Sequence, residues 1–72
     1  MTKNEKQGLE EMYGRIEVIA EYCDNQNIFD FVEFDTIDED GDRTRVCFCL
    51  SDWSEVENPD FSKLVQKSKL AS

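Results

Sequence analysis

The chain contains no histidine, one proline and three glycines in its 72 residues. Without histidine it lacks the commonest general base of enzymes and a frequent ligand of zinc. Basic residues are also scarce, with eight Lys and Arg against seventeen Asp and Glu, which gives a formal net charge of −9. A chain with this balance is repelled by nucleic acid and anionic lipid, and it is attracted to basic surfaces.

No apolar run reaches the roughly 18 residues that a membrane-spanning helix needs, so none is predicted. The first residues lead into an amphipathic segment, which predicts no signal peptide. The cysteines are odd in number and have no CxxC spacing, so we expect reduced thiols in a reducing cytoplasm. With 39% apolar residues the chain is too hydrophobic for a disordered tail, and residues 1–72 are predicted to form a single domain.

The first segment has the spacing of an amphipathic helix from Glu5 to Asp24, with Asn4 as the predicted N-cap. Gly8 and Gly14 would each cost this helix roughly 1 kcal/mol relative to alanine, so packing would have to stabilise it. The apolar residues recur at steps of three and four: they are Leu9, Met12, Tyr13, Ile16, Ile19, Ala20 and Cys23.

A β-hairpin is predicted next, because Ile28–Ile37 and Asp42–Leu50 are rich in β-branched and aromatic residues. A three-residue loop, Glu39-Asp40-Gly41, would place Gly41 in the left-handed position of a bulge. This register satisfies hydrophobic pattern and charge together, whereas a two-residue loop would set Asp35 against Val46. The predicted pairs are Val32–Phe48, Phe34–Val46, Asp35–Arg45 and Thr36–Thr44.

The last third reads as a loop, Ser51–Asp60, followed by a short helix. Asn58 is the predicted cap and Pro59 the first helical residue, since proline is favoured there. The predicted apolar face of this helix consists of Phe61, Leu64 and Val65. The sequence therefore predicts an α+β fold with the order helix, hairpin, helix (αββα).

Both faces of the predicted hairpin are partly apolar. One face carries Val32, Phe34, Val46 and Phe48. The opposite face carries Phe29, Phe31, Cys47 and Cys49. Either the C-terminal helix or a second copy of the chain must cover the second face, because a lone two-stranded sheet is barely stable. We therefore expect a homodimer with the sheet face or edge at its interface.

The segment Thr36–Gly41 resembles half of a calcium-binding loop. Aligned on Gly41, the first ligand position holds Thr36 and the twelfth holds Cys47, where acidic oxygens are required. An acidic hairpin turn is the better interpretation. Solvated carboxylates keep ordinary pKa values, and acidic neighbours raise a thiol's pKa, so the sequence predicts no catalytic residue, metal or cofactor.

Between Ile16 and Asp42 there are acidic residues and no basic one. Solubility is the simplest role for such residues, but ordinary solvated faces mix both signs. A fixed row of carboxylates could instead occupy the Lys and Arg track of a DNA-binding protein. The predicted partner-binding residues are Trp53 and the ten acids Glu17, Glu21, Asp24, Asp30, Glu33, Asp35, Asp38, Glu39, Asp40 and Asp42.

In length, charge and its acidic block, residues 16–42, the chain resembles the small acidic inhibitors that phages make during host takeover. Several of these are DNA mimics with targets such as the histone-like protein HU, uracil-DNA glycosylase, and restriction or CRISPR effectors. The resemblance implies a non-enzymatic inhibitor of a basic host protein that acts in the host cytoplasm and binds no nucleic acid itself. The alternative is a small adaptor or antitoxin-like module that binds through an apolar patch near Trp53 and the uncovered sheet face, with its acidity serving solubility.

Overall fold

The computed structural model describes residues 1–69. Its elements are α1 (Lys3–Tyr13), β1 (Ile16–Asp24), β2 (Asp30–Ile37), β3 (Arg43–Cys49), β4 (Ser54–Val56), a 3-10 helix (Phe61–Lys63) and β5 (Leu64–Lys69). The strands form one antiparallel sheet with the order β4-β3-β2-β1-β5. The predicted αββα fold is therefore wrong, because residues 1–69 form one short α-helix and five strands.

The first predicted helix is half as long as expected. α1 ends at Tyr13, because Gly14 adopts a φ of +81°, outside the helical region. It begins after Thr2, which forms a capping box with Glu5, so the predicted cap Asn4 is also wrong. The second half of the predicted helix is strand β1, which lies between β2 and β5.

β1 folds as a strand because its β-branched residues fit a sheet and its backbone pairs on both sides. Ile16 and Val18 face α1, and Val18 pairs with Phe34. A bulge between Val18 and Ala20 then shifts the alternation, so that Tyr22 lies on the opposite face. Because the bulge interrupts the two-residue alternation of a strand, the apolar residues of this segment also fit a helical spacing.

The predicted hairpin register is confirmed. β2 and β3 pair with Val32 opposite Phe48, Phe34 opposite Val46, Asp35 opposite Arg45 and Thr36 opposite Thr44. Gly41 has a φ of +86°, as the three-residue loop requires.

The predicted C-terminal helix is wrong. Asn58 has a φ of +51°, which is not an N-cap conformation, and Asp60 caps the 3-10 helix instead. Leu64 starts β5, which pairs with the open edge of β1. Pairing with β1 provides backbone hydrogen-bond partners along the six residues of β5, whereas an isolated turn of helix is only marginally stable in water.

The sheet is covered on both faces. α1 packs against one face, where the buried core residues are Leu9, Ile16, Val32, Phe34, Val46 and Phe48. Residues 57–63, here called the crossover segment, pass across the other face to join the edge strands β4 and β5. Phe61 packs on Tyr22 with ring centroids 5.4 Å apart, and Pro59 lines a cavity of about 200 Å³ with Phe31 and Cys47. The second face is thus covered by this chain itself, although by a segment that is mostly not helical.

Candidate partner-binding surface

Asp35 is the most buried carboxylate in the described part of the chain, with 7% of its surface exposed. The hairpin register sets it opposite Arg45, whose Nε donates a 2.6 Å hydrogen bond to Oδ1. Arg43, two residues along β3, donates to Oδ2 at 3.4 Å. The hydrogen bond from Arg45 holds the pKa of Asp35 below its ordinary value, although burial acts in the opposite direction.

The two arginines also engage the acids on either side of Asp35. Arg43 pairs with Glu17 at 2.8 Å, and Arg45 pairs with Glu33 at 2.9 Å. Glu33 accepts a further hydrogen bond of 3.0 Å from the hydroxyl of Tyr22, whose pKa is raised by burial and by that bond. Three of the predicted binding carboxylates therefore belong to an ion-pair network on the crossover face of the sheet.

Two more predicted residues have cationic partners elsewhere in the chain. Glu21 pairs with the amino group of Met1 in a partly buried site. Asp30 pairs with Lys67 of β5 at 3.1 Å. The acidic block contains no base of its own, yet the fold brings bases to it from both ends of the sequence.

Two acids of the block shape turns through backbone hydrogen bonds. The N–H of Phe29 donates to Asp24 at 3.0 Å and holds the pKa of Asp24 below its ordinary value. Asp38 accepts 2.9 Å hydrogen bonds from the N–H groups of Asp40 and Asp42. The β2–β3 turn is therefore fixed by its own first carboxylate.

The four acids of the β2–β3 turn, Asp38, Glu39, Asp40 and Asp42, are here called the tip cluster. Glu39, Asp40 and Asp42 are exposed, and none of the four forms an ion pair with a described residue. Carboxylate oxygens of Asp38, Asp40 and Asp42 lie within 4.8 Å of one another. Thr36 and Cys47, the other positions of the calcium-loop alignment, lie within β2 and β3. The tip cluster is thus a dense, solvated patch of negative charge.

Trp53 lies at the other end of β3, in the turn before β4. Its ring packs edge-on against Phe48, with centroids 5.0 Å apart, and 41% of the residue remains exposed. The ring also lies against Gly8 of α1, where an added Cβ would come within 2.8 Å of it. Met12, one helical turn beyond Gly8, is 53% exposed.

No match to the chain is found among protein-family models, curated proteins or solved structures. None of the helices in residues 1–69 is long and apolar enough to span a membrane.

The structure does not bring the eleven predicted binding residues together: five acids form ion pairs within the fold and Asp24 holds a turn. The tip cluster keeps its charge exposed, and Trp53 lies on the α1 side of the sheet. The sequence reasoning missed Met12 as a surface residue and Gly8 as the seat of the Trp53 ring. An interior helical glycine is a signal that could have suggested a close contact.

The three cysteines are free, and Cys47 and Cys49 are buried. Burial raises the pKa of the Cys47 thiol to about 11, and the nearby Glu33 carboxylate acts in the same direction. This thiol is therefore neutral at physiological pH and is a poor nucleophile.

Proposed function

We propose that this chain is a non-enzymatic acidic protein that binds a basic, DNA-binding protein in the cytoplasm and excludes DNA from it. The observation that carries the proposal is the tip cluster, whose acids have no cationic partner among the described residues. The other acids of the block either form ion pairs within the fold or hold a turn. The contact with the partner is therefore assigned to the tip and not to the whole row of ten acids.

Electrostatics supports this assignment. A carboxylate already paired with arginine gains little from a second cation, whereas an unpaired one can replace the counterions of a Lys and Arg track. Asp38 anchors the turn, so its neighbours are presented from a defined backbone. Less conformational entropy is then lost on binding than for a mobile acidic tail.

The test is capture of proteins from a bacterial lysate on the immobilised chain, followed by elution with duplex DNA. We expect the retained proteins to be displaced by DNA and by moderate salt, because both compete for the same electrostatic contacts. Retention that survives excess duplex DNA would contradict the proposal.

A pair of triple variants locates the contact. Glu39→Gln, Asp40→Asn and Asp42→Asn remove three charges from the tip cluster. The matched control is Glu10→Gln, Glu17→Gln and Glu57→Gln, which removes three exposed charges elsewhere. We expect the tip variant to lose at least tenfold in affinity for the captured protein, and the control to stay within about threefold, because only tip charges meet the partner. Equal losses would show that net charge alone matters.

A further inference from the structure

We infer that Trp53 and Met12 form an apolar anchor for a basic amphipathic helix of a partner protein. This surface lies on the α1 side of the sheet and does not depend on the tip cluster. Trp53 has an unusual backbone conformation, contacts Gly8 of α1 and has acidic residues as its neighbours in sequence.

Trp53 is held at a cost to the fold. Its φ of +54° lies in the left-handed region, which a bulky residue rarely adopts. Gly8, which is unfavourable inside a helix, leaves the space that the Trp53 ring occupies. The left-handed backbone of Trp53 and the glycine inside α1 are both unfavourable, and together they position one aromatic ring. Such strain is characteristic of binding sites.

The ring is nevertheless not buried. Its edge contact with Phe48 and its contact with Gly8 fix its orientation, while 41% of the residue faces solvent. Met12, 53% exposed, is on the same side of α1 as Gly8, one turn further along. Tryptophan and methionine are both enriched at protein interfaces, and a methionine one helical turn from Gly8 can adapt to a partner's surface.

The charge around this anchor selects a basic partner. Asp52 precedes Trp53, Glu55 follows it in β4, and Glu11 precedes Met12; all three are exposed. Glu55 lies opposite Phe48 in the sheet and close enough to Tyr13 to contribute to the raised pKa of that phenol. An acidic rim around an apolar centre fits a helix with an apolar stripe flanked by Lys or Arg. A second copy of this chain would bring the same acids to the contact and is disfavoured.

The test uses a synthetic Leu/Lys peptide with one apolar helical face and no aromatic residue. Its controls are a scrambled peptide of the same composition and an oligolysine of equal charge. Trp53 is the only tryptophan, so its fluorescence reports on this site alone. We expect the amphipathic peptide to shift Trp53 emission to the blue and to protect it from acrylamide. Equal effects of the scrambled peptide, or binding without a change in Trp53 emission, would overturn the inference.

Variants assign the contact to individual residues. Met12→Gln should weaken peptide binding about tenfold, because it places a polar amide in the apolar centre of the contact. Val65→Gln, which alters an equally exposed apolar residue on the opposite edge of the sheet, should change it less than twofold. Gly8→Ala should displace the ring and alter Trp53 emission in the free protein. Equal effects of the Met12 and Val65 variants would overturn the inference.

The triple tip variant distinguishes this inference from the proposed function. We expect it to bind the amphipathic peptide within about threefold of the unmodified chain, because the tip cluster is a separate surface. If the tip variant lost the peptide while Met12→Gln retained it, the tip would be the peptide site and the anchor would be wrong. If the tip variant lost lysate capture but still bound the peptide, the result would support the anchor as a separate binding surface.

Discussion

Asp35 stabilises the fold through its ion pairs with two arginines of β3. Its carboxylate is nearly buried and bridges Arg43 and Arg45, whose side chains remain about half exposed. Hydrogen bonds to a charged group contribute more than neutral ones, on the order of 1.5–3 kcal/mol each. Glu17, at the outer end of the same network, is about half exposed, and an exposed ion pair contributes little.

Asp35→Asn should therefore lower the free energy of unfolding by roughly 1.5–3 kcal/mol near neutral pH. Because folding lowers the pKa of Asp35, its contribution is fully present above the unfolded value of about 3.9. It is lost as pH falls through the lower, folded value, so the difference between the two proteins should disappear in strong acid. Urea unfolding followed by Trp53 fluorescence at several pH values measures this difference.

Glu17→Gln is the matched control, since it removes one charge from the exposed end of the network. Its effect should stay within about 0.5 kcal/mol near neutral pH. If Glu17→Gln cost as much as Asp35→Asn, burial of Asp35 would not be the source of the stability.

At the scale of elements, the β2–β3 turn depends on the backbone of Gly41. An alanine Cβ there would meet nothing within 4 Å, so its cost comes from the φ of +86° alone. We expect Gly41→Ala to lower the free energy of unfolding by about 1–2 kcal/mol, and Gly41→Asn to cost less, because asparagine tolerates left-handed conformations. Thermal unfolding followed by circular dichroism compares the two. Equal losses for Ala and Asn would show that the turn is limited by something other than this φ.

The β2–β3 hairpin and strand β1 show which parts of the fold could be predicted from the sequence. In the β2–β3 hairpin the alternation, the Asp35–Arg45 charge pair and Gly41 all select one register, so it was predictable. In residues 16–24 the apolar residues fit a helix and a bulged strand about equally. Pairing with β2 and β5 decides between them, and that pairing is not visible in a local pattern. The C-terminal capping signals are real, but they start only one turn of 3-10 helix before β5.

The candidate surface was predictable only in part for the same reason. A run of acids along the sequence does not show which of them will meet Arg43, Arg45 or Lys67 in the folded chain. Within the acidic block, residues 16–42, the tip cluster keeps four neighbouring acids together where the chain reverses, with no ion pair to a described residue. Nothing local connects Gly8 with Trp53, so the aromatic surface emerged only from the fold.

At the scale of the whole molecule, charge and apolar surface lie at opposite ends of β2. The tip cluster follows the last residue of β2, while the β1–β2 turn, with Ile28 and Phe29, precedes the first. Val65 of β5 pairs with Cys23 near that same turn. Ile28, Phe29 and Val65 are 61%, 38% and 49% exposed, and they form an apolar end roughly 25 Å from the tip by strand length.

This polarity gives the expected homodimer a specific geometry. The crossover segment already covers the second sheet face, so we expect the interface of a homodimer at the apolar end. Two copies joined there keep their tip clusters far apart, which reduces repulsion between two chains of net charge −9. Both tips also remain open to a basic partner.

We therefore expect sedimentation at micromolar concentration and moderate salt to give a mass of about 17 kDa, twice the 8.4 kDa of one chain. Higher salt should tighten the dimer, because screening weakens the repulsion more than it affects apolar burial.

Ile28→Glu places a charge in the interface and should give monomers, whereas Met12→Glu adds the same charge at an equally open position on α1 and should leave the dimer intact. A monomer in the unmodified chain at every salt concentration would rule out this assembly. In a dimer joined at the apolar end, the charge of Ile28→Glu must be desolvated, whereas the charge of Met12→Glu stays in water. If both substitutions weakened the dimer equally, the interface would not lie at the apolar end.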